Sequence, residues 1–434
     1  MNNTDCMYEA WLASRTVSTD SRRITPGCLF FALRGESFDG NAFVPEALKK
    51  GAALCVTSDA RYAGTEGCLV VDDVTEALQA LARERRRHLT VPVVGITGTN
   101  GKTTTKELVH AVLGRRYRTC ATSGNLNNHL GVPLTLLAIP PEAEMAVVEM
   151  GANHPGEIAF LCGIADPDAG LITNVGCAHL EGFGSVEGVV RTKTELYAHL
   201  EKKGGLAFVN AADGRLAAEL STRFATLRRV TYGTAAGATV QGSHVGDTPF
   251  MRFCFEVGDR VYSVQSHLLG AYNFHNCMAA VAVGLHYGVE PWDIKEAIEA
   301  YVPSNQRSEW KRTGRNSLYL DCYNANPSSM AAAIASFSAL QAEHKMAIVG
   351  GMHELGEAER EEHERLVGML EGCGLEQCLL VGPEFGGIAL GGSMRRFADT
   401  AAVREWLAEH PVSGATVLVK GSNTNRLWTL EELL

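Results

Sequence analysis

Strand-length apolar runs alternate with stretches of helical periodicity along this chain of 434 residues. In the first region the apolar runs are 28–33, 52–57 and 68–71, and helical periodicity covers 43–50 and 74–88. Runs of this length predict short strands, whereas apolar residues spaced three and four apart predict amphipathic helices. The region is therefore predicted to be a small mixed domain that spans residues 1–90.

The pattern becomes more regular after this region. Residues 91–97 form a run rich in β-branched side chains that is followed by glycine, which is typical of a buried strand. A helical pattern covers 102–113 and stops at Gly114. Further elements are predicted as strands at 145–150, 170–174 and 205–209, a small antiparallel addition between 231 and 266, and a helix at 273–286. We assign residues 91–304 to a central domain.

A second alternation of strands and helices follows in residues 305–434. Strands are predicted at 317–322, 346–350, 378–381 and 416–419, with helices at 328–342, 357–370 and 401–410. Alternation on this scale predicts parallel sheets with right-handed crossover helices. The central and C-terminal domains are therefore both expected to be α/β.

Composition and charge exclude several classes of protein. Apolar residues make up 46% of the chain, and the net charge of −10 argues against nucleic acid as a partner. The one basic run, Arg83–Arg87, continues a helical pattern and is interpreted as a solvated helix face. No secretory signal, membrane-spanning run or Cys-x-x-Cys pair is present, so we expect a cytoplasmic protein with reduced cysteines.

A glycine-rich segment lies between the predicted strand 91–97 and the helix 102–113. It comprises Gly98, Thr99, Asn100, Gly101, Lys102, Thr103 and Thr104. In this context glycines let the backbone surround phosphates, Lys102 neutralises their charge and the Thr103 hydroxyl ligates Mg²⁺. The spacing departs from the general nucleotide pattern, because Ile96 stands where its first glycine belongs. Alone, the loop predicts triphosphate binding and leaves GTPases, kinases, motors and ligases open.

Several motifs together narrow this choice. The loop GTNGKTT is accompanied by TSGNLNNHLGVPLT from residue 122, EMGANHPGEI from 149, TNVGCAHLE from 173 and DCYNANPSSM from 321. In these segments, and in motifs of the first domain, the chain resembles the Mur ligase family along its whole length. The resemblance implies an α/β fold of three domains: a small mixed N-terminal domain, a central P-loop ATPase-like parallel-sheet domain and a C-terminal Rossmann-like domain.

The resemblance also implies a reaction. In the member whose motifs match, ATP phosphorylates the carboxylate of UDP-N-acetylmuramoyl-tripeptide, and D-alanyl-D-alanine attacks the acyl phosphate, for peptidoglycan precursor synthesis. The implied enzyme is a cytoplasmic ligase, expected to be a monomer. The alternatives are another Mur ligase, a folylpolyglutamate synthase-like amide ligase or, in a different class, a nucleotide-binding regulator or motor.

Matching residues carry implied roles in catalysis and metal binding. Thr103 and Glu149 are implied to ligate one Mg²⁺ ion, and His179 a second. Lys193 matches a lysine that relatives carbamylate, which would supply a further oxygen ligand to the second ion. Lys102 and Arg307 complete the implied catalytic set.

Further matches are implied to contact the substrates. Asn276 is expected near the adenine of ATP, Arg307 near the γ-phosphate and Asp321 near the ribose. The D-Ala-D-Ala candidates are Asn324 and Asn326, the uridine candidates are Ser21 and Arg22, and the muramoyl-peptide candidates are Asn125, Asn127 and Asn128.

The chain also departs from the family pattern at a few positions. Tyr272 replaces the histidine of a Gly-x-His-Asn motif, and Gly351 replaces an aspartate. Asn41, Asn423 and Thr424 are further departures. None of them lies among the metal or phosphate residues, so catalysis is expected to be retained.

Overall fold

Three β-sheets organise the computed structural model, which describes residues 2–176, 180–247 and 249–434. Strands β1–β4 form the first sheet, β5–β13 the second and β14–β19 the third, in chain order. Each sheet draws its strands from one of the three regions predicted above. The architecture is α/β, as the sequence indicates.

The first region folds around a four-stranded parallel sheet in the order β1-β2-β3-β4. Its elements are α1 (Asn3–Ser14), β1 (Val17–Ser18), β2 (Leu29–Phe31), α2 (Val44–Lys49), β3 (Leu54–Thr57), β4 (Cys68–Val70) and α3 (Val74–Arg87). The pattern missed α1, which buries only Met7 and Trp11 and so shows little periodicity.

The central region forms a nine-stranded sheet in the order β13-β12-β11-β10-β9-β8-β5-β7-β6. Its strands are β5 (Val93–Thr97), β6 (Thr119–Ala121), β7 (Met145–Glu149), β8 (Ala169–Ile172), β9 (Leu206–Asn210), β10 (Arg228–Gly233), β11 (Val240–Asp247), β12 (Phe250–Val257) and β13 (Arg260–Leu269). The ladder from β6 to β11 is parallel, and β11 to β13 add the antiparallel extension that was predicted.

Helices cover this central sheet. They are α4 (Lys102–Leu113), α5 (Gly131–Ala138), α6 (Glu157–Ala165), α7 (Leu180–Phe183), α8 (Val186–Lys193), α9 (Glu195–Lys203), α10 (Gly214–Thr222), α11 (Asn273–His286) and α12 (Pro291–Ala300). The predicted bounds of α4 and α11 are confirmed. Within the described part of the chain no helix is long and apolar enough to cross a bilayer.

The C-terminal region forms a six-stranded sheet in the order β14-β15-β19-β16-β17-β18. Its elements are β14 (Glu309–Arg312), β15 (Ser317–Asp321), α13 (Pro327–Ala339), β16 (Lys345–Gly350), α14 (Glu359–Glu371), β17 (Gln377–Val381), β18 (Met394–Phe397), α15 (Thr400–Glu409) and β19 (Thr416–Lys420). Only the edge strand β14 is antiparallel to its neighbour.

The first two regions share one hydrophobic core. Leu78 and Leu81 of α3 belong to the same buried cluster as Leu136 of α5 and Leu161 of α6. The predicted boundary near residue 90 therefore joins two packed units rather than two independent bodies.

The interpretation of the basic run as a solvated face is wrong for two of its arginines. Arg85 and Arg86 are only 6% and 8% exposed, because α3 packs against the central region. Arg85 donates to the carbonyl of Ile139. Arg86 donates to the carbonyls of Leu89, Ala165 and Asp166 and to the carboxylate of Asp168.

Replacing Arg86 by alanine is expected to lower the free energy of unfolding by about 3 kcal/mol, because several buried acceptors lose their donor. Urea titration measures this change. Arg87→Ala is the matched control, since Arg87 pairs with Glu84 at the surface and its side chain is 71% exposed. The control is expected to cost less than about 0.5 kcal/mol. Equal effects of the two substitutions would contradict the role given to Arg86.

Candidate active site

A cavity of about 730 Å³ lies between the central and C-terminal sheets. It opens at the carboxyl ends of β5, β7 and β15, where ligands bind in parallel α/β sheets. Its size is that of a site for a small molecule. The candidate residues that line it are Thr99, Asn100, Gly101, Lys102, Thr103, Thr104, Asn125, Asn127, Asn128, Glu149, Asn276, Arg307, Asp321 and Asn324.

The glycine-rich loop forms the central wall of this cavity. Gly98 has φ +144°, and a Cβ there would lie 1.9 Å from the Thr173 hydroxyl oxygen. Gly101 has φ +78°, and a Cβ there would lie 2.6 Å from Oδ1 of Asn276. Both positions therefore require glycine. Asn276 packs under the loop in this way, and its expected contact with adenine stays a prediction.

Lys102 folds back over its own loop. Its ammonium donates to the carbonyls of Gly98 and Thr99 at 2.8 and 2.9 Å. Burial lowers the pKa of Lys102 to about 8, and Arg307 acts in the same direction, while Glu149 opposes them. A bound triphosphate would favour the charged ammonium at this point.

Glu149 ends β7 with its side chain almost fully buried. Oε1 accepts hydrogen bonds from the Thr103 hydroxyl at 3.2 Å and from the Asn127 amide at 2.8 Å. Oε2 is buried and has no hydrogen-bond partner among the described residues. A buried, unpaired carboxylate oxygen beside a hydroxyl is the donor set that Mg²⁺ prefers. Thr103 and Glu149 therefore fit the predicted cation, which would take its remaining ligands from phosphate and water.

Lys193 ends α8 behind the cavity wall and is 2% exposed. Its Nζ lies 3.3 Å from the carbonyl of Ala152, which lines the cavity, and 5.4 Å from the ring centroid of Phe183. Burial lowers the pKa of Lys193 to about 7, and Lys102 adds to the effect. The neutral form of its amine is therefore accessible near pH 7. His179, the other candidate for a second cation, lies outside the described residues.

The C-terminal domain supplies the opposite wall. The Arg307 guanidinium lies 3.7 Å from the ring centroid of Tyr323. Asp321 pairs with Lys420 at 3.2 Å, and Lys420 donates to the carbonyl of Asn324. Lys420 lines the cavity but was not among the sequence candidates. Its place at the end of β19, at the start of a Lys-Gly-Ser motif, is the signal that marks it.

The two walls are in direct contact. Asn326 caps α13, since its side chain accepts from the Ser329 backbone, and its amide donates to Asn100 Oδ1 at 2.8 Å. Asn100 in turn donates to the Ser328 hydroxyl at 2.9 Å. Asn326 is therefore engaged in holding the phosphate loop against α13. Its predicted contact with a dipeptide stays a prediction.

The candidates of the first domain lie apart from this cavity. Ser21 and Arg22 belong to a short 3-10 helix, Ser21–Arg23. The Arg22 side chain is 86% exposed and pairs with Asp20 at 2.8 Å. Neither residue is among the described residues that line the cavity. A role at the uridine end of a long substrate stays a prediction.

Comparison with known proteins places the chain in a family. Three family models match it: Mur ligase family, catalytic domain, over 14–86; Mur ligase middle domain over 96–284; and Mur ligase, glutamate ligase domain, over 306–423. The UDP-N-acetylmuramoyl-tripeptide–D-alanyl-D-alanine ligase of Bacillus subtilis is 35% identical over 424 residues, which cover 95% of this chain and 91% of the relative. The chain belongs to the Mur ligase family. The family predicted from the motifs is thus confirmed.

Solved structures resemble this Mur ligase over nearly its whole length. A MurF structure from Acinetobacter baumannii has a TM-score of 0.87 and 31% identity, covering 96% of this chain and 92% of that one. MurF from Thermotoga maritima in complex with ADP has a TM-score of 0.85 and 29% identity, covering 97% of each chain. Folylpolyglutamate synthase from Mycobacterium tuberculosis shares 15% identity at a TM-score of 0.65, which shows a common fold alone.

Proposed function

We propose that this Mur ligase uses ATP to join D-alanyl-D-alanine to UDP-N-acetylmuramoyl-tripeptide, a step of peptidoglycan precursor synthesis. The observation that carries the chemistry is the cavity, in which the phosphate loop and Lys102 face Arg307, Asp321 and Lys420 of the C-terminal domain. The choice of substrates is supported by full-length relatives that bear that name. We expect the reaction in the cytoplasm and the enzyme to act as a monomer.

The chain's own groups suit the transfer of a phosphoryl group to a carboxylate. Backbone N–H groups at the start of α4 and the Lys102 ammonium would hold the phosphates of ATP. Arg307, aimed into the cavity, would stabilise charge on the γ-phosphate as it is transferred. A carboxylate oxygen of the tripeptide attacks the γ-phosphorus, and ADP leaves. The neutral dipeptide amine then attacks the acyl carbon, and the resulting tetrahedral intermediate loses a proton from its nitrogen and expels phosphate.

Mg²⁺ fits the wall formed by Thr103 and Glu149. When bound there it would neutralise charge on the β- and γ-phosphates. Asn127 would keep the Glu149 carboxylate in place through its hydrogen bond to Oε1. A second ion, with His179 and a modified Lys193, remains our proposal from the family resemblance.

Carbamylation of Lys193 is supported by the state of its amine. Carbamate formation joins the lysine nitrogen to the carbon of CO₂ and releases one proton, so it requires the neutral amine. Burial provides that form near pH 7. The product is an anion, which would supply an oxygen ligand at a position where Lys102 disfavours a second ammonium.

Phosphate release tests the proposed function. We expect release from ATP only when UDP-N-acetylmuramoyl-tripeptide and D-Ala-D-Ala are both present, together with a product heavier by the dipeptide. Turnover of ATP alone at full rate would indicate a nucleotide-dependent regulator or motor. Turnover with a single amino acid in place of the dipeptide would indicate a different Mur ligase or a folylpolyglutamate synthase-like enzyme.

A further inference from the structure

The segment that leads from α12 into the C-terminal domain carries Arg307 in a constrained backbone. Gln306 and Ser308, on either side of Arg307, have φ values of +59° and +51°. L-residues rarely adopt this left-handed region, and they persist in it only where surrounding contacts enforce it. The direction of the Arg307 side chain therefore depends on what holds its two neighbours.

The beginning of this segment is fastened to the helix that follows the phosphate loop. Glu107 of α4 accepts from the Tyr301 hydroxyl at 2.5 Å and from the Asn305 amide at 2.9 Å. The backbone N–H of Gln306 donates to Glu309 at 3.1 Å. These contacts hold the part of the segment that precedes Arg307, and they leave the position of Ser308 to other groups.

Tyr272 provides the shortest contact to Ser308, whose hydroxyl also accepts from the Asn273 amide at 3.3 Å and whose backbone N–H donates to Asp321 at 3.4 Å. It precedes α11 in the central domain, and its hydroxyl lies 2.6 Å from the Ser308 hydroxyl and 2.7 Å from the Tyr319 hydroxyl. Because a phenol has one proton, Tyr272 donates to one of these groups and accepts from the other. Burial raises the pKa of Tyr272, so the hydroxyl keeps its proton at neutral pH. Tyr272 thus links the central domain to two residues of the C-terminal domain.

We propose that Tyr272 is a positioning residue for Arg307. Its hydroxyl holds Ser308 in the left-handed backbone conformation that directs the Arg307 guanidinium into the cavity, against the ring of Tyr323. The inference rests on the proposed function and adds a residue to it. The residue that departs from the family motif is thus the one that reaches across to the other domain.

Steady-state kinetics of Tyr272→Phe test the proposal, after wild-type turnover has been measured with ATP, UDP-N-acetylmuramoyl-tripeptide and D-Ala-D-Ala. We expect kcat to fall roughly 10- to 100-fold, because a small displacement of a group at the transferred phosphoryl strongly affects the rate. KM for the UDP-tripeptide is expected to change less than about twofold, because binding of the UDP-tripeptide is separate from the contact between Arg307 and the transferred phosphoryl group. Ser308→Ala removes the same contact together with the hydrogen bond from Asn273. It is expected to lower kcat at least as much, with little further loss in the double variant.

A double-mutant cycle separates positioning from a general loss of stability. In an Arg307→Ala background, Tyr272→Phe is expected to change the rate less than about twofold. This rate is measured in single turnovers with excess enzyme. Tyr117→Phe is the matched control, because its hydroxyl donates to the carbonyl of Tyr287 at 2.7 Å. It removes a tyrosine hydroxyl outside the cavity and is expected to leave kcat unchanged.

The outcomes are distinguishable. A wild-type chain without ligase turnover contradicts the proposed function, and this inference falls with it. An active wild type with an unchanged kcat in both Tyr272→Phe and Ser308→Ala overturns the inference alone. The inference is also overturned if Tyr272→Phe lowers the rate by the same factor in the presence and in the absence of Arg307.

Discussion

Replacing Glu149 by glutamine is expected to lower kcat about 10³-fold, which is the size of effect that loss of one electrostatic contact at a reacting centre has. The substitution keeps the shape of the side chain and the acceptor for Thr103 and Asn127. It removes the negative charge and the unpaired oxygen that would ligate Mg²⁺. The rate is measured at saturating ATP over a range of Mg²⁺ concentrations, and we expect excess Mg²⁺ not to restore it.

Glu144→Gln is the matched control for this substitution. Glu144 precedes β7, the strand that Glu149 ends, and pairs with Arg118 at the surface, where its side chain is 42% exposed. Its replacement is expected to leave kcat unchanged. A Glu149→Gln enzyme within about threefold of the wild-type rate would show that the carboxylate has no part in the transfer.

Replacing Lys193 by alanine is expected to lower kcat at least 100-fold, and added acetate or formate is expected to recover part of the loss. The reason is that a carbamate supplies an oxygen ligand, which a small carboxylate in the vacated space imitates. Activity of the wild type is expected to decrease as the pH falls below about 7, because protonation of the Lys193 amine opposes carbamate formation. A ¹³C signal from labelled CO₂ on the protein, absent from the variant, gives a direct readout.

Lys202→Ala serves as the control for loss of a lysine in this region. Lys202 lies on α9 and is exposed, so its removal is expected to change neither the rate nor the response to acetate. Full activity of Lys193→Ala without any added carboxylate would contradict the carbamate.

Elements with a clear period or a β-branched run were predictable from the sequence. The phosphate loop precedes helix α4 and Gly114 follows it, and the predicted bounds of the helix match the structure. The helices α5 and α6 were missed because they are apolar almost all round, as in GVPLTLLA and EIAFLCGIA. Such helices lie in the core and carry no polar face that would show a helical period.

The parts of the site also differ in how far they could be predicted from the sequence. The phosphate loop was evident from its strand, glycines and lysine, which are local in sequence. Arg307 and Asp321 were named only through the family resemblance, and the structure brings them to the loop by packing one sheet against another. The contact of Tyr272 with Ser308 and the burial of Arg86 are tertiary, because each depends on which groups of another domain lie opposite. No local pattern of charge or polarity identifies them.

Transfer of oxygen-18 tests the central claim most directly. The terminal carboxylate of UDP-N-acetylmuramoyl-tripeptide is labelled at both oxygens, the reaction is run with ATP and D-Ala-D-Ala, and the released phosphate is examined by mass spectrometry. Formation of an acyl phosphate in the cavity between Lys102 and Arg307 predicts one labelled oxygen in each phosphate, with the other retained in the new amide. Phosphate without label would mean that ATP is hydrolysed by water and would contradict the ligase.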